Sequence, residues 1–171
     1  MTKPLLRSAR AGAFSLSVAA FSFLKPRRCG AGSEAMMDVI KVRSAEREQL
    51  IELTGEVRRK LREAGAQQGV CVLYVQHTTA GLTINENADP DVPRDMLHAL
   101  RTLVPQHGMG FRHGEENSDA HIKASLTGAS VTVPFDGGQL LLGRWQGIFL
   151  CEFDGPRQRQ VIMMLLRQGK E

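Results

Sequence analysis

Three histidines, His77, His113 and His121, are the residues of this sequence best suited to proton transfer or metal ligation. Three neutral imidazoles can hold a zinc-like ion and leave a position for water or substrate. The spacing from His113 to His121 matches no local metal signature, so spacing alone leaves open three unrelated histidines. Glu86, Glu116, Asp119 and Glu152 are carboxylates that could orient imidazoles or act as general acid or base. A second set suits anions. Thr78, Thr79 and Gly81 offer hydroxyls and approachable backbone N–H groups, and a helix start near Ser118 offers more. Arg157 and Arg159 flank a Gly-Pro turn, and a guanidinium fork matches phosphate geometry. Trp145 could wall a pocket. No P-loop, GxGxxG or GxSxG motif occurs, so nucleotide binding and serine hydrolysis have no motif behind them.

These groups need elements to position them. Val70-Cys71-Val72-Leu73-Tyr74-Val75 reads as a buried strand, and polarity switches abruptly at Gln76-His77-Thr78-Thr79, continuing to Asn85-Glu86-Asn87. Met37–Val42 reads as an earlier strand. Ser44–Ala64 reads as an amphipathic helix, with Ser44 as N-cap, Leu50, Leu53, Val57 and Leu61 at helical spacing, and Gly65 as its stop. A second helix is expected over Arg94–Val104, flanked by surface histidines His98 and His107, and a short one over 118–127. Four strands fit the C-terminal third, at 130–135, 139–142, 147–152 and 160–167. Asp136-Gly137-Gly138 turns the first pair and Asp154-Gly155-Pro156 the last. Short, turn-linked strands predict an α+β domain: a largely antiparallel sheet or sandwich with flanking helices.

Length and charge bound the function. The 171 residues suffice for one domain and a tail. The net charge is +4, but six cations against Glu34 give residues 1–36 a net +5, leaving 37–171 at −1. With one Trp and one Tyr, that domain lacks both the basic field and the stacking platforms of a nucleic-acid binder. Residues 1–36 form a basic and apolar extension: a leader, a transit-like segment, or a start placed upstream of Met36 or Met37. Its uncharged run, 11–24, is short for a membrane span. Cys29, Cys71 and Cys151 form no CxxC and suit a reducing compartment.

Four blocks occur in a specific order: 77–86 (HTTAGLTINE), 120–124 (AHIKA), 143–146 (GRWQ) and 152–157 (EFDGPR). Together they resemble the YjbQ-like family over about residues 37–168. The resemblance implies a compact fold on a β-sandwich-like sheet, a homotrimer, and a polar pocket where His77, His113 and His121 meet. Members are commonly labelled secondary thiamine-phosphate synthases, which implies joining a pyrimidine diphosphate to a thiazole phosphate with release of pyrophosphate. On that reading His77, Glu86 and His121 are catalytic, and Thr78, Thr79, Asn85, Trp145 and Arg157 hold the phosphorylated substrate. His77, His113 and His121 hold a zinc-like metal, with Mg²⁺ possible where pyrophosphate leaves. The alternatives are a metal-dependent hydrolase of a small phosphorylated or acylated metabolite, and a non-catalytic trimer binding a small anion or metal. Expected partners are a small phosphorylated metabolite and further copies of the chain, with no nucleic acid and no integral membrane domain. A cytoplasmic location is expected, with targeting or export by residues 1–36 left open.

Overall fold

The computed structural model describes residues 35–167. The expected N-terminal extension lies outside them as far as residue 34, whereas Ala35 and Met36 belong to the first strand. In chain order the elements are β1 (Ala35–Arg43), β2 (Gln49–Glu52), α1 (Thr54–Glu63), β3 (Gly69–Val75), β4 (Ala80–Glu86), α2 (Asp91–Leu103), α3 (Ser118–Thr127), β5 (Ser130–Asp136), β6 (Gln139–Leu140), β7 (Gln146–Glu152) and β8 (Gln158–Arg167).

The strands form two antiparallel sheets, one ordered β1-β8-β3-β5-β6 and one ordered β2-β7-β4. Period-two alternation sends Cys71, Leu73 and Val75 of β3, and Val161, Met163 and Leu165 of β8, into one core. Leu82, Ile148 and Leu150 reach that core from the smaller sheet, and Val57 and Leu61 reach it from α1. The other face of the smaller sheet is covered too. Cys151 and Phe153 pack there with Ala120 and Ala124 of α3 and with Leu97 and Leu100 of α2. Burial on both faces explains why Gly147–Glu152 is a continuous buried run without alternation. The fold is therefore the α+β antiparallel sandwich with flanking helices that the sequence predicts.

Three local expectations change. The helix predicted over 44–64 begins only at Thr54, because Gln49–Glu52 pairs with Phe149–Glu152. Leu50 and Ile51 pack on opposite faces of the sheet, which is strand parity; their fit to a helical repeat with Leu53 and Val57 was accidental. The polar stretch after β3 contains a strand of its own, β4, paired with β7. Gly81 lets β4 lie against the end of α3, since a Cβ there would stand 2.0 Å from Thr127 Oγ1. Finally, Asp154-Gly155-Pro156 does not close a hairpin. β7 and β8 belong to different sheets, and the chain crosses between sheets at this point. The hairpin at Gly137-Gly138 does form, with positive φ at both glycines and Asp136 opposite Gln139.

Candidate functional site

Three of the connections that carry the chain between the two sheets lie at one end of the fold: 44–48 (β1 to β2), 76–79 (β3 to β4) and 153–157 (β7 to β8). They meet beside the start of α3. Strand ends here give up their ladders, and side chains join a few backbone bonds between the connections, such as Ser44 N–H to the Arg157 carbonyl and Gly155 N–H to the Arg47 carbonyl, in satisfying the backbone. Glu152, fully buried at the end of β7, is the principal anchor. Its Oε1 accepts from the Phe153 and Asp154 N–H groups at 3.0 and 2.9 Å and from Arg159 Nη2 at 2.5 Å. Its Oε2 accepts from Ser44 Oγ at 2.9 Å and Arg159 Nε at 2.7 Å. Burial raises the affinity of this carboxyl for its proton. The Arg159 fork, the Asp154 N–H and the Ser44 hydroxyl outweigh burial and hold its pKa below the usual range. Ser44 is thus no helix cap. Besides donating to Glu152, its hydroxyl accepts the Arg157 N–H at 2.8 Å. Gly155 is required by the same crowding, because a Cβ there would stand 2.2 Å from the Glu46 carbonyl and 2.7 Å from Ser44 Oγ.

A second ionic cluster ties α3 to the crossing. Lys123 Nζ, 1% exposed, reaches Glu48 Oε1 at 2.5 Å and Asp119 Oδ2 at 2.9 Å. Asp119 also accepts from Arg47, which reaches Asp154 as well. Asp154 Oδ2 in turn accepts from Arg157 Nη2 at 2.7 Å and Asn117 Nδ2 at 3.0 Å. Those bonds fix the Asn117 amide, whose Oδ1 is buried without a hydrogen-bond partner among the described residues.

A polar cavity of about 280 Å³ opens above these clusters, lined by His77, Thr78, Asn117, His121, Arg157 and the carboxylates of Glu115 and Asp154, among others. His77 Nε2 accepts the Gln160 backbone N–H at 3.0 Å. That bond puts the proton of the neutral ring on Nδ1. Burial lowers the His77 pKa, the Arg159 charge lowers it further, and Glu152 opposes both. His77 is therefore a neutral ring presenting an N–H donor. Arg157 spends Nε and Nη2 on Asp154, which leaves Nη1 without a partner among the described residues. The arrangement can accept an oxyanion and can move a proton at His121.

The expected site residues separate into groups. His77, Thr78, Thr79, His121 and Arg157 meet at the cavity. The Thr79 hydroxyl, however, is buried and accepts from Arg159 Nη2 at 2.9 Å, so it holds protein rather than ligand. His113 lies on the loop before α3, its ring edge-on to His121 at 5.4 Å between centroids. Asn85, Glu86 and Trp145 lie elsewhere. β4 starts beside the crossing at Ala80 and carries Asn85 and Glu86 to its far end, about 20 Å away at strand rise. Trp145 sits there too, 55% exposed and stacked by the Arg144 guanidinium. The three-histidine metal set does not fit: His77 Nε2 is already engaged, and no group of three His, Cys, Asp or Glu among the described residues could hold an ion. Glu152, Arg159 and Asp119 were within reach of sequence reasoning as spare acids and a phosphate-binding arginine. Their real partners are each other, Ser44 and Lys123. Cys71 and Cys151 are buried free thiols whose pKa burial pushes up to about 12, so neither is a ready nucleophile. No helix among the described residues is long and apolar enough to cross a membrane.

Comparison with known proteins places this geometry. The model of the family described as UPF0047 protein YjbQ-like matches residues 38–168. UPF0047 protein YugU of Bacillus subtilis is 44% identical over 131 residues, covering 77% of this chain and 99% of the relative. A Methanocaldococcus jannaschii UPF0047 protein is 45% identical, covering 77% of this chain and 94% of the relative. A crystal structure of an uncharacterized YjbQ/UPF0047 protein from Clostridium acetobutylicum superposes with a TM-score of 0.73 at 45% identity, covering 75% of this chain and 98% of that one. A Sulfolobus solfataricus structure described as a protein of unknown function superposes at 0.75 with 30% identity, covering 81% and 99%. These findings overturn the thiamine-phosphate synthase activity implied by the resemblance. The relatives carry only the UPF0047 name, and no transferase chemistry or metal is attached to them. The site gives the physical reason. Both arginines beside the cavity are already paired to carboxylates, and the one guanidinium nitrogen left, Arg157 Nη1, suits a single oxyanion but not the two phosphates of a departing pyrophosphate. From its fold, its matched length and its sequence, the chain belongs to the YjbQ-like UPF0047 family.

Proposed function

We propose that the cavity binds a small phosphorylated metabolite and that the chain acts on it by proton transfer at His121, with His77 as a neutral hydrogen-bond donor. One observation carries this reading: a histidine held in a single tautomer shares a cavity with an arginine that has one nitrogen to spare. A neutral N–H donor orients an oxyanion without competing for the proton that His121 moves. Incubation with a cell metabolite extract, followed by mass spectrometry, should show one phosphorylated species consumed. His121→Ala should slow its consumption at least 100-fold, as loss of a general acid or base does, with thermal stability retained. A species retained but not consumed would remove the catalytic half of the reading. No phosphorylated species retained or consumed would remove all of it.

The same reading takes the chain to work as a homotrimer in a reducing, cytoplasmic setting. The support is the outer face of the larger sheet. Rows Met37–Met164–Val72 and Val39–Ile162–Tyr74 lie in register across β1, β8 and β3, and Tyr74 and Leu166 are 46% and 44% exposed. A contiguous apolar face of this kind marks an association surface. Sedimentation should give three chains for the parent and one for Tyr74→Glu/Met164→Glu. A monomeric parent would exclude the assembly.

A further inference from the structure

His77 has a second side. A notch of about 440 Å³ opens there, lined by Lys41, Val42, Arg43, His77, Gln158, Arg159 and Gln160. The array follows from strand parity. Lys41 and Arg43 are two apart on β1, an edge strand, and both are exposed. Gln160 and Gln158 of β8 stand directly opposite them and are exposed too. Two cations and two amides thus stand on one face, with neighbouring Cα atoms about 5–7 Å apart. No carboxylate is among the lining residues. Arg159 is spent on Glu152, but neither Lys41 nor Arg43 has an ion-pair partner among the described residues. The contrast with the first cavity is chemical. There, Glu115 and Asp154 offset the arginines; here, two positive charges stand uncompensated beside amide donors. The His77 ring, pinned to the Gln160 backbone, lines both spaces.

We infer that the Lys41–Arg43 notch is a subsite for a phosphate-type oxyanion. Two cations about 7 Å apart can share one dianionic group, Arg43 through its fork and Lys41 as a point charge, while Gln158 and Gln160 donate amide N–H bonds. The inference deepens the proposed function and rests on it in one respect: the ligand that meets His121 carries an additional anionic arm reaching past His77.

The test is a titration of the full chain with inorganic phosphate at constant ionic strength, followed by backbone amide chemical shifts. Saturable shifts are expected at 41–43 and 158–160. In the Lys41→Gln/Arg43→Gln variant their midpoint should rise at least tenfold; both side chains are exposed, so the variant keeps the fold. Absence of notch shifts in the parent, an unchanged midpoint in the variant, or an equal response to chloride overturns the subsite. Amides around Thr78, Asn117 and His121 report the first cavity separately. If they stay silent while the notch saturates, the cavity reading fails and the oxyanion subsite stands.

Discussion

Glu152→Ala is expected to lower stability by about 3–5 kcal/mol, the usual cost of stripping one partner from a buried ion pair. Domains of this size have only about 5–15 kcal/mol to lose. The reason is local and specific. Arg159 is 4% exposed, so its guanidinium cannot turn to water once Glu152 is gone. The Asp154 N–H loses its acceptor in the same step, and the Phe153 N–H and Ser44 hydroxyl keep only their longer bonds to the Thr79 and Arg157 carbonyls, each at 3.2 Å. Thermal unfolding should shift down by roughly 10–20 °C. Replacing both partners, Glu152→Leu with Arg159→Met, should cost less than Glu152→Ala alone, because no buried charge is left unpaired. A Glu152→Ala protein within 1 kcal/mol of the parent would show that the anchor is not the pair.

The sign of the pH dependence follows from the same bonds. The Glu152 pKa in the folded chain lies below its ordinary 4.5. Its contribution is therefore complete above that value and disappears as pH falls through the folded value. Denaturant midpoints of the parent should fall more steeply below pH 4.5 than those of Glu152→Gln, which has no proton to take up there.

How much of this was legible in the sequence depended on whether the signal was local. β3 and β8 announced themselves as short apolar runs bounded by turn signals, and Gly137-Gly138 by the φ values a tight hairpin needs. The order of elements in the last third was readable for the same reason. The crossings were not. Asp154-Gly155-Pro156 reads as a turn whether it joins paired strands or carries the chain from one sheet to the other, and only distant pairing decides. Ser44 shows the consequence. A serine before an amphipathic pattern looks like a cap, yet its partner is Glu152, 108 residues away. Likewise the run from His77 to Glu86 looked like one polar site because it is contiguous. A strand runs through it, so its first residues reach the cavity while Asn85 and Glu86 end up remote. His77, His121 and Arg157, singled out by residue types suited to proton transfer and anion binding, do line one cavity.

Lys123→Met should produce a loss of similar size with the opposite response to acid. In the parent, one ammonium stands between Glu48 and Asp119, which are 7% and 0% exposed. Arg101 and Arg47 hold the far sides of those carboxylates and cannot move inward without abandoning solvent or Asp154. Removing the ammonium leaves two buried carboxylates facing one another, at an expected cost of about 3–5 kcal/mol near neutral pH. Protonating one carboxylate relieves that repulsion and lets it donate a hydrogen bond to the other. The variant's deficit should therefore shrink as pH is lowered, whereas Glu152 loses its contribution under the same conditions. Chemical denaturation at neutral and mildly acid pH measures this directly. A deficit that is constant or grows in acid would mean that Lys123 stabilises α3 through the packing of its methylene chain, with its charge playing no part. Because α3 also carries His121, the same variant should loosen the edge-on His113–His121 contact, seen as averaged ring-proton shifts at neutral pH.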